Sequence, residues 1–193
     1  NSDIREQLNI PSKVCGAHHK ACVCLVEVDN PHHIAHERFT ENGALALLPM
    51  NHHKMTLVWS LPNESTALMA LDDEAFMATL KQTYPEMASQ FLSVTKRFEF
   101  PLKMTVAAYQ TAEDALLMGN AAHALHPIAA QGLNLSLRDL ETFLKLLEQS
   151  DSLDARLLED YERLRQKDQN RTIHFTHFLA HYVANPKLPA WLK

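Results

Sequence analysis

Apolar and polar positions alternate through residues 21–61, a period that predicts strands. Val23, Leu25 and Val26 stand in a β-branched, apolar run that stops at the turn-forming Asp29-Asn30-Pro31. Ile34 to Phe39 is a second candidate, and Ala44 to Met50, just after Gly43, is a third. From Lys54 to Leu61, Met55, Leu57 and Trp59 alternate with Thr56, Val58 and Ser60. Strands this close together, joined by short polar turns, predict an antiparallel meander. The period then changes. Asp72 suits a helix N-cap, Leu71 and Phe76 stand at the two positions of a hydrophobic staple, and Pro85 closes the segment. Phe98 to Tyr109 reads as extended, and Ala115 to Met118 reads as a short buried strand that ends in Gly119.

Two helices complete the pattern. Leu133, Leu137, Leu140, Leu144 and Leu147 recur at alternating steps of four and three, an apolar stripe expected to pack inward. The second helix is expected from about Leu153 to about Val183, with Leu153, Leu157, Tyr161 and Leu164 on one face. Its middle, Arg165 to Arg171, is strongly polar, which predicts solvent exposure. Strands dominate before residue 110 and helices after it. The expected division is therefore 1–110 and 111–193, in a mixed α+β or α/β fold with an antiparallel sheet, flanking helices and a helical C-terminal part.

Composition narrows the chemistry. The net charge of −5 argues against a nucleic-acid partner held by a basic face. Only 4 glycines occur, where average usage gives about three times as many. Gly119 and Gly132 are the nearest pair, so neither GxGxxG nor a Walker A loop is present in these residues. The 3 cysteines, Cys15, Cys22 and Cys24, are odd in number and lack CxxC spacing, which points to a reducing, cytoplasmic setting. No GxSxG elbow is present, which removes the common hydrolase reading.

Chemistry concentrates in Leu117 to Asp139, LMGNAAHALHPIAAQGLNLSLRD. A strand ends at Gly119, and the small residues Asn120, Ala121 and Ala122 let the backbone approach a ligand closely. Pro127 fixes a turn, and Gly132 opens the leucine helix. Free N–H groups at a helix start, with the positive end of the dipole, favour an anion or developing negative charge. The same pattern also suits a strand–loop–helix connection that binds nothing.

The stretch Gly119 to Asp139 resembles the second flavin-binding motif of the FAD-dependent aromatic-ring hydroxylases, which share the para-hydroxybenzoate hydroxylase fold. Within them it is most similar to the ubiquinone-biosynthesis branch. Ala35-His36-Glu37-Arg38-Phe39 and Gly43 to Met50 resemble the family's substrate-domain sheet. Phe100-Pro101-Leu102 resembles an aromatic-Pro-Leu strand, and Asp160-Tyr161 with Arg165 resembles a D-Y-x-x-x-R helix. Ser2-Asp3-Ile4-Arg5 fits the family's Ser-x-x-Arg pair. Asn120 stands where many relatives have Asp, and Ala130 replaces a loop Gly.

The resemblance implies a monooxygenase that uses FAD, NAD(P)H as co-substrate and O2 to hydroxylate an aromatic ring, here one carrying a prenyl tail. Collecting such a substrate implies peripheral contact at the inner membrane or with a ubiquinone-biosynthesis complex. The N–H groups of Gly132, Leu133 and Asn134 would face the flavin, and Gly119, Asn120, Ala121 and Ala122 would serve its ribityl–pyrophosphate part. Gln131 would line the same loop. Pro127 and His126 would stand beside the reacting face, with His123 a further contact. Arg38, Phe39 and Pro49 would line the ring pocket, together with Leu48 and Met50. Since the family's GxGxxG turn is not among these residues, the resemblance also implies the C-terminal half of a longer enzyme, inactive without its N-terminal half.

Two alternatives accompany this reading. His174, His177 and His181, at i, i+3 and i+7 on a helix, suggest a metal-binding module, although HExxH is absent and no carboxylate or Cys completes a set. The pairs His18-His19, His32-His33 and His52-His53 are expected in solvated turns. A non-catalytic relative of the same fold is the other alternative. Without a pyrophosphate loop, these 193 residues purified alone are expected to be colourless. Stoichiometric flavin absorbance in that preparation overturns the expectation.

Overall fold

The computed structural model describes residues 2–30, 33–40, 43–51, 53–65, 67–112 and 115–180. Along the chain come α1 (Asp3–Gln7), β1 (Ser12–Val28), β2 (His36–Thr40), β3 (Gly43–Asn51), β4 (Lys54–Pro62), α2 (Ala67–Ala70) and α3 (Asp73–Thr83). Then follow β5 (Phe91–Val94), β6 (Phe98–Ala107), β7 (Thr111–Ala112), β8 (Ala115–Leu116), β9 (His123–Ala124), α4 (Gln131–Glu148) and α5 (Ala155–Phe178). Residues 18–102 form one compact unit, and residues 2–17 with 103–180 form another.

The 18–102 unit is antiparallel, as the alternating pattern predicts, but only β2-β3-β4 form the expected meander, because β1 lies beside β4 and not beside β2. Its strands lie in the order β2-β3-β4-β1, each pair antiparallel, and β5 pairs with the end of β1. Register aligns Leu45 with Trp59 and Cys22, and Leu47 with Leu57 and Cys24. These rows form one buried face. α3 covers it with Phe76 and Leu80, both fully buried, and Phe76 meets Trp59 edge-on at 6.3 Å. Asp72 does cap α3, accepting a 2.8 Å hydrogen bond from the Ala75 N–H. Arg97 lies over the Phe76 ring at 4.8 Å and pairs with Asp73 at 3.1 Å. Gly43 has φ +131°, and a Cβ there would lie 1.9 Å from the Ser60 carbonyl oxygen, so no other residue starts β3 in this way. Burial pushes the Cys22 thiol up to about 11 and the Cys24 thiol up to about 12.

β1 begins at Ser12, well before the apolar run that signals it, and carries His18 and His19. These two histidines are therefore in a strand and not in the expected turn. The segment lacks an alternating signature of its own, and strand pairing overrides its weak local preference.

In the other unit β9 pairs with β6, matching Thr105 to Ala124 and Val106 to His123. β7 and β8 form a two-stranded hairpin. The expected strand at Ala115 to Met118 is reduced to β8, with Leu117 buried just after it. Both long helices form, but their faces differ from expectation. Leu133, Leu137, Leu140 and Leu144 are exposed, by 71%, 54%, 43% and 49%, while Leu135 and Asp139 are fully buried. In α5, Leu157, Leu158 and Tyr161 turn inward, whereas Leu164 is exposed; Leu153, also exposed, lies before the helix. The polar middle is solvated only in part: Gln166, Lys167, Asn170 and Arg171 are exposed as expected, but Arg165 and Gln169, with Thr172 just beyond, are buried. A shared set of hydrogen bonds, described below, draws these polar side chains inward and so fixes the rotation of both helices.

Deleting the Phe76 ring should cost about 3–5 kcal/mol, because it removes a fully enclosed side chain from the meander core. Leu140→Ala should change stability by less than about 0.5 kcal/mol, since that side chain is exposed. Urea unfolding of the two variants beside the parent checks the contrast.

A candidate cofactor loop tied to a buried carboxylate

Between β8 and α4 the chain makes a sequence of tight turns. Gly119, at φ +59°, starts a short 3-10 turn through Ala121. The Ala122 carbonyl accepts from the Ala107 N–H at 2.8 Å, and β9 follows at once on the edge of β6. His126 is buried and caps the next turn, Pro127–Ala129, with Nδ1 accepting from the Ile128 N–H at 3.2 Å. Ala130 then adopts the left-handed conformation, at φ +47°, and α4 begins.

The start of α4 is open. No side chain caps its first turn, so its leading N–H groups are not satisfied by a cap. A Cβ built on Gly132 meets nothing within 4 Å. Leu133 and Asn134 are exposed, as is Asn120 across the loop. Open space at Gly132, amide donors without a side-chain cap and the dipole's positive end suit a group that carries or develops negative charge.

The loop is held from two sides. Ser2 caps α1 by accepting from the Arg5 N–H at 3.2 Å, and the buried Arg5 guanidinium donates to the Ala121 carbonyl at 3.3 Å. The Ser-x-x-Arg pair is thus a cap and a tether. On the other side His123 Nε2 donates to Asp139 Oδ2 at 2.6 Å, both side chains being wholly buried. Asp139 Oδ1 accepts from Arg165 Nε at 2.7 Å and from Gln169 Nε2 at 2.9 Å. Gln169 in turn accepts from Gln110 Nε2 at 2.7 Å. Asp168 receives both Arg165 and Arg138, the latter at 2.9 Å.

Burial alone would raise the Asp139 pKa. The hydrogen bonds from His123, Gln169 and Arg165 outweigh it and hold the carboxyl below its ordinary range. A carboxylate depressed in this way contributes stability fully present above the unfolded Asp pKa. That stability is lost as pH falls through the lower, folded value.

Gly119, Asn120, Ala121, Ala122, His126, Pro127, Gln131, Gly132, Leu133 and Asn134 therefore belong to one continuous loop and helix start. His126 is committed to capping the turn before α4. Arg38, Phe39 and Pro49 lie in the meander unit. Arg38 donates to the Thr83 carbonyl at 3.0 Å, pairs with Glu86 at 2.5 Å and covers the Tyr84 ring at 4.4 Å. Phe39 is exposed and Pro49 half-buried. Sequence reasoning missed Asp139 and Arg165 as a pair and Arg5 as the loop's tether.

His181 lies outside the described residues. Among those described, no group of three or more His, Cys, Asp or Glu side chains is placed to hold a metal ion. His174 and His177 instead line a groove of about 620 Å³ with Met104, Val106, Ala107 and Ile173. No helix of the described residues is long and apolar enough to cross a membrane.

Comparison with known proteins shows the family. Residues 1–176 match the FAD binding domain family, and the chain belongs to it. It is 31% identical to the ubiquinone hydroxylase UbiL of Rhodospirillum rubrum over 99% of this chain and 46% of that protein. It is 25% identical to the human mitochondrial ubiquinone biosynthesis monooxygenase COQ6, over 93% of this chain and 46% of that protein. The chain thus spans about half the length of these curated relatives.

Solved structures show the same fold. PqsL of Pseudomonas aeruginosa, a probable FAD-dependent monooxygenase, superposes with a TM-score of 0.76 at 18% identity, over 95% of this chain and 54% of that one. The R204Q variant of HpxO from Klebsiella pneumoniae, complexed with FAD, gives a TM-score of 0.67 at 16% identity, over 91% of this chain and 49% of that one. The fold is therefore that of the para-hydroxybenzoate hydroxylase class, as the sequence motif implies.

Ala130 is strained at its positive φ, where the resembled motif has glycine. Ala130→Gly should stabilise the chain by about 1 kcal/mol, because relief of the left-handed strain exceeds the added freedom of the unfolded chain. Thermal melting of the variant beside the parent measures it.

Proposed function

We propose that this chain is the cofactor-and-substrate part of an FAD-dependent monooxygenase that hydroxylates an aromatic ring in ubiquinone biosynthesis. The observation that carries the proposal is the open, uncapped start of α4 at Gly132, which the small-residue turn at Gly119 to Ala122 precedes by way of β9 and the Pro127–Ala129 turn. The ubiquinone hydroxylases among its relatives support the substrate class.

In this reading the N–H groups of Gly132, Leu133 and Asn134 donate to the pyrimidine edge of the flavin. They would stabilise negative charge on that edge of the bound cofactor, as an oxyanion hole stabilises an alkoxide. Asn120 hydrogen-bonds the ribityl–pyrophosphate portion. The flavin supplies the redox and oxygen chemistry when bound, and the protein supplies position, water exclusion and charge. Pro127 gives the loop a rigid, apolar wall. Phe39 and Pro49 supply apolar surface for the ring substrate, while Arg38 holds β2 against the end of α3. A prenyl-tailed substrate would reach the enzyme by peripheral contact with the inner membrane or through a ubiquinone-biosynthesis complex.

Gly132→Val tests the reading in the full translated chain. A branched side chain at the open position would project into the space assigned to the flavin, so occupancy should fall about tenfold or more. Circular dichroism should show the helices retained, because Leu135 and Asp139 hold the inward face of α4. If flavin absorbance per protein and NAD(P)H oxidation both survive, the assignment of the helix start is wrong.

A further inference from the structure

The buried charges of the C-terminal helices have no direct part in that reading. Asp139 lies in α4, two turns beyond Gly132, and both of its oxygens are used. Its three donors come from two different elements: His123 from β9, and Arg165 with Gln169 from α5. His123 Nδ1, the other ring nitrogen, is buried and makes no hydrogen bond among the described residues. Among these residues, Asp139 is therefore the side chain's hydrogen-bonding anchor.

The two ends of this contact bracket the second part of the candidate loop, residues 124–134, and the start of α4. His123 stands just after the Gly119–Ala121 turn, and Asp139 stands on the helix whose first turn is open. A hydrogen bond of 2.6 Å between them closes the intervening segment into a loop of fixed span. From the other side, Arg165 and Gln169 fix the rotation of α4 about its axis, and with it the direction of the leading N–H groups. Gln169 also exchanges amide hydrogen bonds with Gln110, at 2.7 and 3.2 Å. Glu162, two turns earlier on α5, accepts from the Gln110 and Thr111 N–H groups at 2.7 and 3.1 Å. The polar side of α5 is thus a rack on which the strand connection, the loop and α4 are all set.

We infer that Asp139 is a positioning residue for the flavin, acting through His123 on the loop and through Arg165 and Gln169 on the start of α4. The inference rests on the reading of that loop as the flavin site. Asp139 touches no cofactor itself; it sets where the donors point. Replacing the carboxylate by an amide keeps the volume, turns one acceptor into a donor facing His123 or Arg165, and leaves Arg165 short of an anion. The loop and the helix start should then lose their common reference, so bound flavin should be held more loosely and in a less polarising environment.

The test uses the full translated chain. Asp139→Asn should raise the flavin dissociation constant about tenfold, the scale of one charged hydrogen bond lost. It should also shift the visible absorption bands of the flavin that remains bound and make its reduction potential more negative, because fewer N–H groups face the reduced form. Arg165→Lys should retain more of both properties than Arg165→Met. A residue that only stabilised the fold would lower the melting temperature without moving the potential of bound flavin.

Gly132→Val, measured in parallel, separates the two levels of the argument. If it empties the site while Asp139→Asn leaves affinity within twofold and the potential unchanged, the positioning role is overturned and the flavin site stands. If neither variant affects flavin, both fall. Should Asp139→Asn fail to fold, Gln169→Met decides: it removes one of the three donors, so it should weaken flavin about threefold and shift the potential in the same direction. An unchanged affinity and potential in that variant overturns the inference.

Discussion

A single buried carboxylate organises the C-terminal helices. Asp139 carries a charge where water does not reach, and such a charge persists only when its hydrogen-bonding capacity is filled. Filling it commits four segments: β9 through His123, α5 through Arg165 and Gln169, the Gln110 connection through Gln169, and α4 itself. Removing one partner from such an arrangement leaves an uncompensated charge, which typically costs about 3–5 kcal/mol. The helices therefore cannot rotate to bury their leucines instead, and the loop before α4 is clamped as a consequence.

That constraint explains where the sequence was legible and where it was not. The antiparallel strands were legible because alternation has period two and their turns carry polar punctuation, and Leu45, Leu57 and Trp59 lie on the buried face that their spacing implies, but the placing of β1 beside β4 is long-range pairing with no local signal. The start of α3 was legible because capping is local, decided by Asp72 and the few residues after it. The segment from Gly119 to Asp139 was legible as a family motif. The tether from Arg5 to Ala121 depends on residues far apart in sequence, so spacing alone did not reveal it.

The faces of α4 and α5 were misread for a physical reason. Periodicity reports that a helix has an apolar stripe but not that the stripe faces inward, and here Leu133 to Leu144 face out among the described residues. A run of charged residues reads as a solvated surface because lone charges are costly to bury. Arg165 and Gln169 escape that rule only by meeting Asp139, and pairing across 26 or 30 positions has no local signature. The early start of β1 went unseen because pairing, not composition, makes that segment extended.

The thiols of the meander core have a bearing on the chemistry a flavin performs with oxygen. Flavin enzymes that meet O2 can release hydrogen peroxide, and the thiolate form of cysteine is the one that peroxide attacks. With its pKa pushed up to about 11, Cys22 is ionised in only about one molecule in ten thousand at neutral pH, and Cys24, at about 12, in fewer. Both also lie under α3, out of reach of solvent. These two thiols therefore stay in the reduced state in the presence of such an oxidant.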